Sequence, residues 1–378
     1  MLTIQQKRIQ YQYPMRSGLA EKLLVKTMDW PPDVISRQRP LLQALANFKY
    51  DEYQQFSPGI RFIESLVKWL TQFEELEERK TAYNFIINHL VFISNDQMAH
   101  LVNITYADKI NPIVIDKTSR AIKINPFWVR KIVKSAHYRV ILRRSLFIGL
   151  SDGSRIDQLR RSFSRISNEQ VLATYTISDD KVNDMLEELK KSGVKSKFNT
   201  VFLIDDFTAS GTSYFRKSGE NWGGKIYKFI NSVFILKSEI SNLMQEGEIL
   251  DIHIIFYIAT VDAMDKLAIN IKEFQAENPE CNFQFSIEAI QVIGSEIKTQ
   301  ILEDTLFVDL IRKYYDDDIN DSHYKMGKHD EPYLGFNECC LPLVLNHNTP
   351  NNSLPILWFP DDKKYKGLFP RVTRHKDE

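Results

Sequence analysis

The stretch Val201-Phe202-Leu203-Ile204-Asp205-Asp206-Phe207-Thr208-Ala209-Ser210-Gly211-Thr212-Ser213 decides how the rest of the chain is read. Four consecutive apolar residues predict a strand buried on both faces, as in the middle of a parallel sheet. The strand delivers two carboxylates, Asp205 and Asp206, at its C-terminal end, where open α/β sheets bind ligands. Small and hydroxyl residues follow, and a helix start is expected directly after them. A loop of that kind lets backbone N–H groups close around a phosphate, and a helix N-terminus adds positive potential. Thr208, Ser210, Thr212 and Ser213 contribute hydroxyls, while Ala209 and Gly211 keep the loop small. Two carboxylates beside such a cradle suit a sugar phosphate, whose vicinal hydroxyls they hold directly or through Mg²⁺. A Walker A loop is excluded because no Gly-Lys-Ser/Thr follows, and a Gly-x-Gly-x-x-Gly fingerprint is absent.

Outward from this strand, short apolar runs alternate with amphipathic stretches. The runs are Ser145–Leu150, Val171–Ile177, Thr200–Ile204, Ile252–Ala259, Phe283–Ile290 and Leu341–Leu345. Between several of them lie the helical patterns Ile156–Ile166, Asp180–Ser192, Lys225–Gln245, Val261–Glu277 and Thr299–Tyr315. The alternation predicts an α/β fold with a doubly wound, mainly parallel sheet. The first hundred residues read differently. Ser57-Pro58 has the form of a helix start, followed by Phe62, Ile63, Leu66, Leu70 and Phe73 on one helical face. Asn125-Pro126 is a second such start, ahead of Val129, Ile132, Val133, Ala136 and Val140. We therefore expect a helical N-terminal domain over residues 1–115, suited to a partner protein, and an α/β domain over 116–378.

Composition narrows the class. The 378 residues carry 49 Lys+Arg against 49 Asp+Glu, which excludes a uniformly basic nucleic-acid coat. Neutrality is nevertheless a sum over a polarised chain. Between Asp116 and Arg165 there are 13 Lys/Arg and three acids, a local excess that could face a polyphosphate or a nucleic acid. Three cysteines, Cys281, Cys339 and Cys340, cannot build a disulfide framework and lack zinc spacing. Met1 to Gln12 is polar and lacks the apolar core of a signal peptide, so a soluble protein in a reducing cytoplasm is expected. The acidic run Asp316 to Asp321 fails the EF-hand template, which needs Gly at position six and Glu at twelve but finds Asp321 and Gly327.

Two further segments bear on function. Leu146-Phe-Ile-Gly149-Leu150 leads into the turn Ser151-Asp152-Gly153-Ser154-Arg155, where Arg155 could grip phosphate oxygens. Near the C-terminus, His347-Asn-Thr-Pro-Asn351-Asn352-Ser-Leu-Pro-Ile-Leu-Trp358 is dense in side-chain amides. His347 could serve as acid, base or ligand contact near neutral pH, and Asn351 and Asn352 could orient a base edge or an acceptor.

At Asp205-Asp206 and the loop after them the sequence resembles the type I phosphoribosyltransferases. Their signature is an apolar strand, two acids and a Thr-Gly-Gly-Thr-like turn. Ser210 stands for the first Thr, Gly211 for the first Gly and Ser213 for the last Thr, while Thr212 replaces the second Gly. The three segments in order resemble a branch of phosphoribosyltransferase-like proteins found in bacterial conflict and phage-defence loci. The resemblance implies a ribose 5-phosphate or nucleotide-type ligand on Thr208 to Ser213, with Asp205 and Asp206 holding the ribose and Mg²⁺. It puts Ser151, Asp152, Gly153 and Arg155 on the diphosphate side, and it implies an anti-phage effector acting on a nucleotide or phosphoribosyl diphosphate. Two alternatives from other classes are a non-catalytic nucleotide or sugar-phosphate sensor and a nucleic-acid-binding adaptor using the 116–165 segment.

Overall fold

A computed structural model describes residues 17–194, 196–320, 324, 327, 330–361 and 363–371. The polar stretch Met1 to Gln12 and Asp321 lie outside the described residues. In chain order the strands are β1 (Val91–Ile93), β2 (Ser145–Gly149), β3 (Val171–Leu172), β4 (Thr200–Thr208), β5 (Arg216–Ser218), β6 (Asn221–Gly223), β7 (Leu250–Thr260), β8 (Phe283–Ile293) and β9 (Leu343–Leu345).

The chain forms two compact units, Asp96–Ser295 and a discontinuous unit of Met1–Asn95 with Glu296–Glu378. The boundary expected at 115/116 does not coincide with this division: both residues lie within the helix Asn111–Ile122. The C-terminal segment completes the N-terminal unit, because β9 pairs in parallel with β1 and not with the main sheet. The expectation that Leu341–Leu345 belongs to the same sheet as the Asp205 strand is thereby corrected.

The continuous unit is built on a five-stranded parallel sheet in the order β3-β2-β4-β7-β8. It is an α/β fold with helices between the strands. β4 and β7 lie inside the sheet, and Val201 to Ile204 and Ile254 to Ala259 are buried, as continuous apolar runs require. The run Val171–Ile177 contributes only two strand residues, whereas β4 extends past Ile204 to Thr208. After β2 the chain passes through the helix Ile156–Ser162 to β3 on one side. It then passes through the helix Asp179–Lys191 to β4 on the other side. The direction of winding thus reverses at β2 and β4, and the loops leaving their C-terminal ends border the crevice where such sheets take ligands.

The discontinuous unit is mainly helical. The helix Phe62–Leu70 is buried along nearly its whole length. It begins at Phe62, with Arg61 as N-cap, and not at Ser57-Pro58, which form a turn ahead of it. Its Trp69 Nε1 donates to the Ile356 carbonyl at 2.8 Å, and Ser65 Oγ donates to the Leu368 carbonyl at 2.6 Å. Tyr50, Phe62 and Phe92 gather around Phe369. The terminal segments therefore share one apolar core. Among the described residues no helix is long and apolar enough to cross a membrane.

Candidate functional site

The site grows from the end of β4. Asp205 is fully buried, and each of its oxygens is engaged. Ser151 Oγ donates to Oδ1, as does the Asp206 backbone N–H at 3.1 Å. Lys225 Nζ donates to Oδ2 at 2.8 Å, and the Tyr214 hydroxyl lies 2.9 Å from the same oxygen and 2.8 Å from the Phe207 carbonyl. Burial, and then the neighbouring Asp206 charge, push the Asp205 carboxyl above the usual carboxylate range; Lys225 and Ser151 oppose them. Asp205 is thus the fixed centre of the site and ties together the β2 turn, β4 and the segment from Tyr214 to Lys225.

Asp206 is half-buried and faces the same β2 turn at Gly153. A Cβ placed on Gly153 would stand 2.5 Å from its Oδ2, so glycine there lets the β2 turn close on this carboxylate. Tyr257, buried in β7, donates to the Ser154 carbonyl at 2.6 Å and pins the turn from below. Burial raises the Tyr257 hydroxyl far above its ordinary range; the two aspartates add to this and the Arg155 charge opposes it. Arg155 adopts a left-handed conformation (φ 45°) as the chain enters the next helix, an unusual choice for a residue with a side chain. The structure therefore brings Ser151, Gly153, Asp205 and Asp206 together, with Asp152 exposed on the same turn.

The loop Thr208 to Ser213 is stitched to its surroundings. Gly211 N–H donates to Thr208 Oγ1 at 3.3 Å, Thr212 N–H to Ser210 Oγ at 3.4 Å, and Thr260 Oγ1 to the Ala209 carbonyl at 2.7 Å. Gly211 sits at φ +70°, and a Cβ there would come within 3.1 Å of the Ala263 carbonyl. The backbone N–H groups of Ser210 and Ser213 donate to no group among the described residues. Lys266 Nζ reaches Thr212 Oγ1 at 3.5 Å. Thr212, which replaces a glycine of the resembled motif, has an ordinary negative φ and is accommodated, nearly buried.

The helix expected directly after this loop is displaced. Tyr214 and Phe215 turn inward, with both N–H groups bonded to the Gly211 carbonyl. The chain then makes the antiparallel hairpin β5–β6 before the helix Lys225–Ile230 begins. Trp222 of the hairpin packs edge-on against Phe215 and Phe274, and its Nε1 donates to Glu277 at 2.8 Å. The helix nevertheless starts beside the loop: Lys225 N–H donates to the Ser213 carbonyl at 3.1 Å and Ile226 N–H to that of Tyr214 at 2.9 Å. The excursion is what returns Lys225 to Asp205. Sequence reasoning missed Tyr214, Lys225 and Tyr257. The Gly223-Gly224 pair was the available signal for Lys225, since Gly224 (φ +110°) lies hard against the Tyr214 carbonyl. Tyr257 carried none, being one more residue of an apolar strand.

His347, Asn351 and Asn352 belong to the discontinuous unit, whereas Asp205 and Asp206 belong to the continuous one. The Asn352 amide donates to the Phe336 carbonyl at 3.2 Å and approaches Cys339 Sγ at 3.3 Å. Gln55 donates to the His347 carbonyl at 2.7 Å, Ser353 Oγ to that of Leu343 at 2.6 Å and Trp358 Nε1 to that of Ser353 at 2.8 Å. The segment is a hydrogen-bonded knot in which Asn352 serves the backbone.

Among the described residues no group of three or more His, Cys, Asp or Glu could enclose a metal ion. With Asp205 surrounded by four donors, Asp206 is the carboxylate of the pair suited to a cation shared with a phosphate ligand. This fits Mg²⁺, which commonly uses one or two carboxylates plus substrate oxygens.

No curated protein and no solved structure matches the chain. The family model described as PRTase-CE matches residues 66–371, a span that takes in most of both compact units. With a match over that much of its length, and an α/β sheet whose switch point carries the Asp205–Asp206 pair, the chain belongs to the phosphoribosyltransferase-like family PRTase-CE.

Proposed function

We propose that the continuous unit binds a ribose 5-phosphate or nucleotide-type ligand at the switch point between β2 and β4. The observation that carries this reading is the convergence of two turns on Asp206: the Gly153 turn lies against its carboxylate and the Thr208–Ser213 loop follows it directly. In this reading the Ser210 and Ser213 N–H groups and the loop hydroxyls take the 5-phosphate. Asp206 faces the ribose hydroxyls or a Mg²⁺ ion. Gly153 and Arg155 face the second phosphate group. Mg²⁺ would neutralise phosphate charge, while Asp205 holds the two turns in place without touching ligand. Preorganised donors of this kind stabilise charge wherever it develops on the sugar or its leaving group.

Non-catalytic sensing is the second reading. The engagement of both Asp205 oxygens and the presence of Thr212 favour it, since both reduce the freedom of the cradle. The resemblance of three ordered motifs supports a role as an effector in anti-phage defence. Three cysteines are too few for a disulfide framework, which fits a reducing compartment.

Thermal-shift titration of the full chain with ribose 5-phosphate, phosphoribosyl diphosphate and nucleotides, with and without Mg²⁺, tests the binding reading. Phosphorus NMR of the same mixtures separates turnover from sensing. A ligand shift retained in full by Asp206→Asn would remove the site from consideration.

A further inference from the structure

The basic residues from Lys117 to Arg144 divide into two classes. Lys117 pairs with Asp251 at 2.5 Å, Arg120 with Asp116 at 2.6 Å, Arg144 with Glu248 at 2.8 Å and Arg143 with Glu169 at 4.0 Å. These four serve the fold. Lys123, Arg130, Lys131, Lys134 and Arg139 are exposed and form no ion pair among the described residues. The sequence has no Asp or Glu from Lys117 to Ser151, so nothing along this stretch offsets them.

Two aromatic residues stand among these free cations. Phe127 is 88% exposed and Trp128 is 56% exposed. A hydrogen-bonded turn presents both: Phe127 N–H donates to Asn125 Oδ1 at 2.9 Å, and Trp128 N–H donates to the Asn125 carbonyl at 3.0 Å. The helix that follows is anchored by the buried Ile132. The next helix is anchored by Tyr138, whose hydroxyl donates to Asn111 Oδ1 at 2.6 Å. Lys131 Nζ lies 5.2 Å from the Trp128 ring centroid, in cation–π range. Phe127, Trp128, Val129, Arg130, Lys131 and Lys134 line one shallow depression of about 450 Å³.

The complement of such a surface is a polyanion that also carries flat apolar faces. An acidic protein segment would satisfy the cations and leave the rings in water. We infer that single-stranded nucleic acid docks here, its bases stacking on Phe127 and Trp128 and its phosphates meeting Lys123, Arg130, Lys131, Lys134 and Arg139. The inference uses none of the residues assigned to the ribose-phosphate site and stands apart from that reading.

Fluorescence anisotropy of labelled oligothymidylate and oligouridylate with the full chain, over a salt series, tests it. Binding is expected to weaken with salt, with a slope of about 0.7 per phosphate neutralised. Phe127→Ala with Trp128→Ala should lower affinity roughly tenfold or more at fixed salt without changing the slope. Lys131→Gln with Lys134→Gln should weaken binding and flatten the slope by about 1.4. Trp128→Phe, which keeps a stacking face, should retain affinity within about threefold. An unchanged unfolding curve for each variant confirms the fold. Absence of oligonucleotide binding overturns the inference, as does binding insensitive to the loss of both rings. So does ring-dependent binding to phosphatidylserine vesicles with no binding to either oligonucleotide.

Discussion

Lys225 Nζ lies 2.8 Å from an oxygen of the fully buried Asp205 carboxylate and 4.8 Å from the Tyr214 ring centroid. The pair joins the end of β4 to the first residue of a helix twenty positions on, across the β5–β6 hairpin. Removing one member of a buried ion pair leaves the other charge uncompensated, which costs more than the pair itself is worth. Lys225 is about one-third exposed, so the usual penalty is reduced. We expect Lys225→Met to destabilise the protein by about 2–3 kcal/mol at neutral pH, measured by urea unfolding. Asp205→Asn added to it should recover at least about 1 kcal/mol. The sign with pH follows from the raised Asp205 carboxyl, which takes up a proton in the folded state at a pH where the unfolded chain is still ionised. The deficit of Lys225→Met therefore shrinks as the pH falls through the folded-state titration. A deficit independent of pH would show that the carboxylate charge is not what Lys225 offsets.

The two aspartates should separate by experiment. Asp206 raises the Asp205 carboxyl through like charge, so Asp206→Asn removes a repulsion and should leave the melting temperature equal or higher by a few degrees. The same variant should lose the Mg²⁺-dependent ligand shift. Asp205→Asn should instead disturb the Ser151 turn and Lys225 together and shift the unfolding midpoint whether or not ligand is present. Equal ligand responses in the two variants would contradict the division of roles.

Two glycines give a similar contrast. Gly211→Ala forces a side chain into a left-handed conformation 3.1 Å from the Ala263 carbonyl, a backbone contact that cannot move cheaply. A loss of about 2 kcal/mol is expected, and ligand binding should fall with it. Gly153 has no such backbone demand; the nearest neighbour of a Cβ there would be the Asp206 carboxylate, at 2.5 Å. Gly153→Ala should leave the unfolding midpoint nearly unchanged, because Asp206 can turn away. It should weaken ligand binding tenfold or more. Calorimetric titration alongside urea unfolding reads both quantities.

What the sequence disclosed follows from the range of the interactions involved. β2, β4, β7, β8 and the helix Val261–Glu277 were legible because a buried strand or an amphipathic helix writes its burial into adjacent residues. Asp205, Asp206 and the hydroxyl loop were legible as a site because their residue types are costly anywhere else at a strand end. The pairing of β9 with β1 was not legible. Three apolar residues in each of two short segments, Val91–Ile93 and Leu343–Leu345, are compatible with many partners, and only tertiary packing selects one. The hairpin was hidden for a related reason. Arg216–Ser218 and Asn221–Gly223 lack the alternation of a half-buried strand, and it is Trp222 packing on Phe215 and Phe274 that holds them in place. Lys225 was hidden with it, since its role depends on where the hairpin returns the chain.

His253 supplies a pH test away from the site. It lies in β7 with Nδ1 2.8 Å from Ser286 Oγ, its ring stacked on Phe202 and its buried Nε2 without a partner among the described residues. Burial, reinforced by the Lys117 charge and opposed by Asp251, lowers its pKa to about 4. The unfolded chain then takes up a proton near pH 6.5 while the folded protein does not. Stability from this group is complete above about pH 6.5 and falls as the pH drops toward 4, by about 3 kcal/mol over the interval. Acidification also weakens any carboxylate pair, so the informative quantity is the difference between the native protein and His253→Asn. The variant should be less stable at pH 7.5, having lost the ring packing on Phe202, and its curve should be flatter by about 3 kcal/mol between pH 6.5 and 4. Parallel curves across that interval would mean that His253 is protonated in the folded protein and that the sheet tolerates the charge.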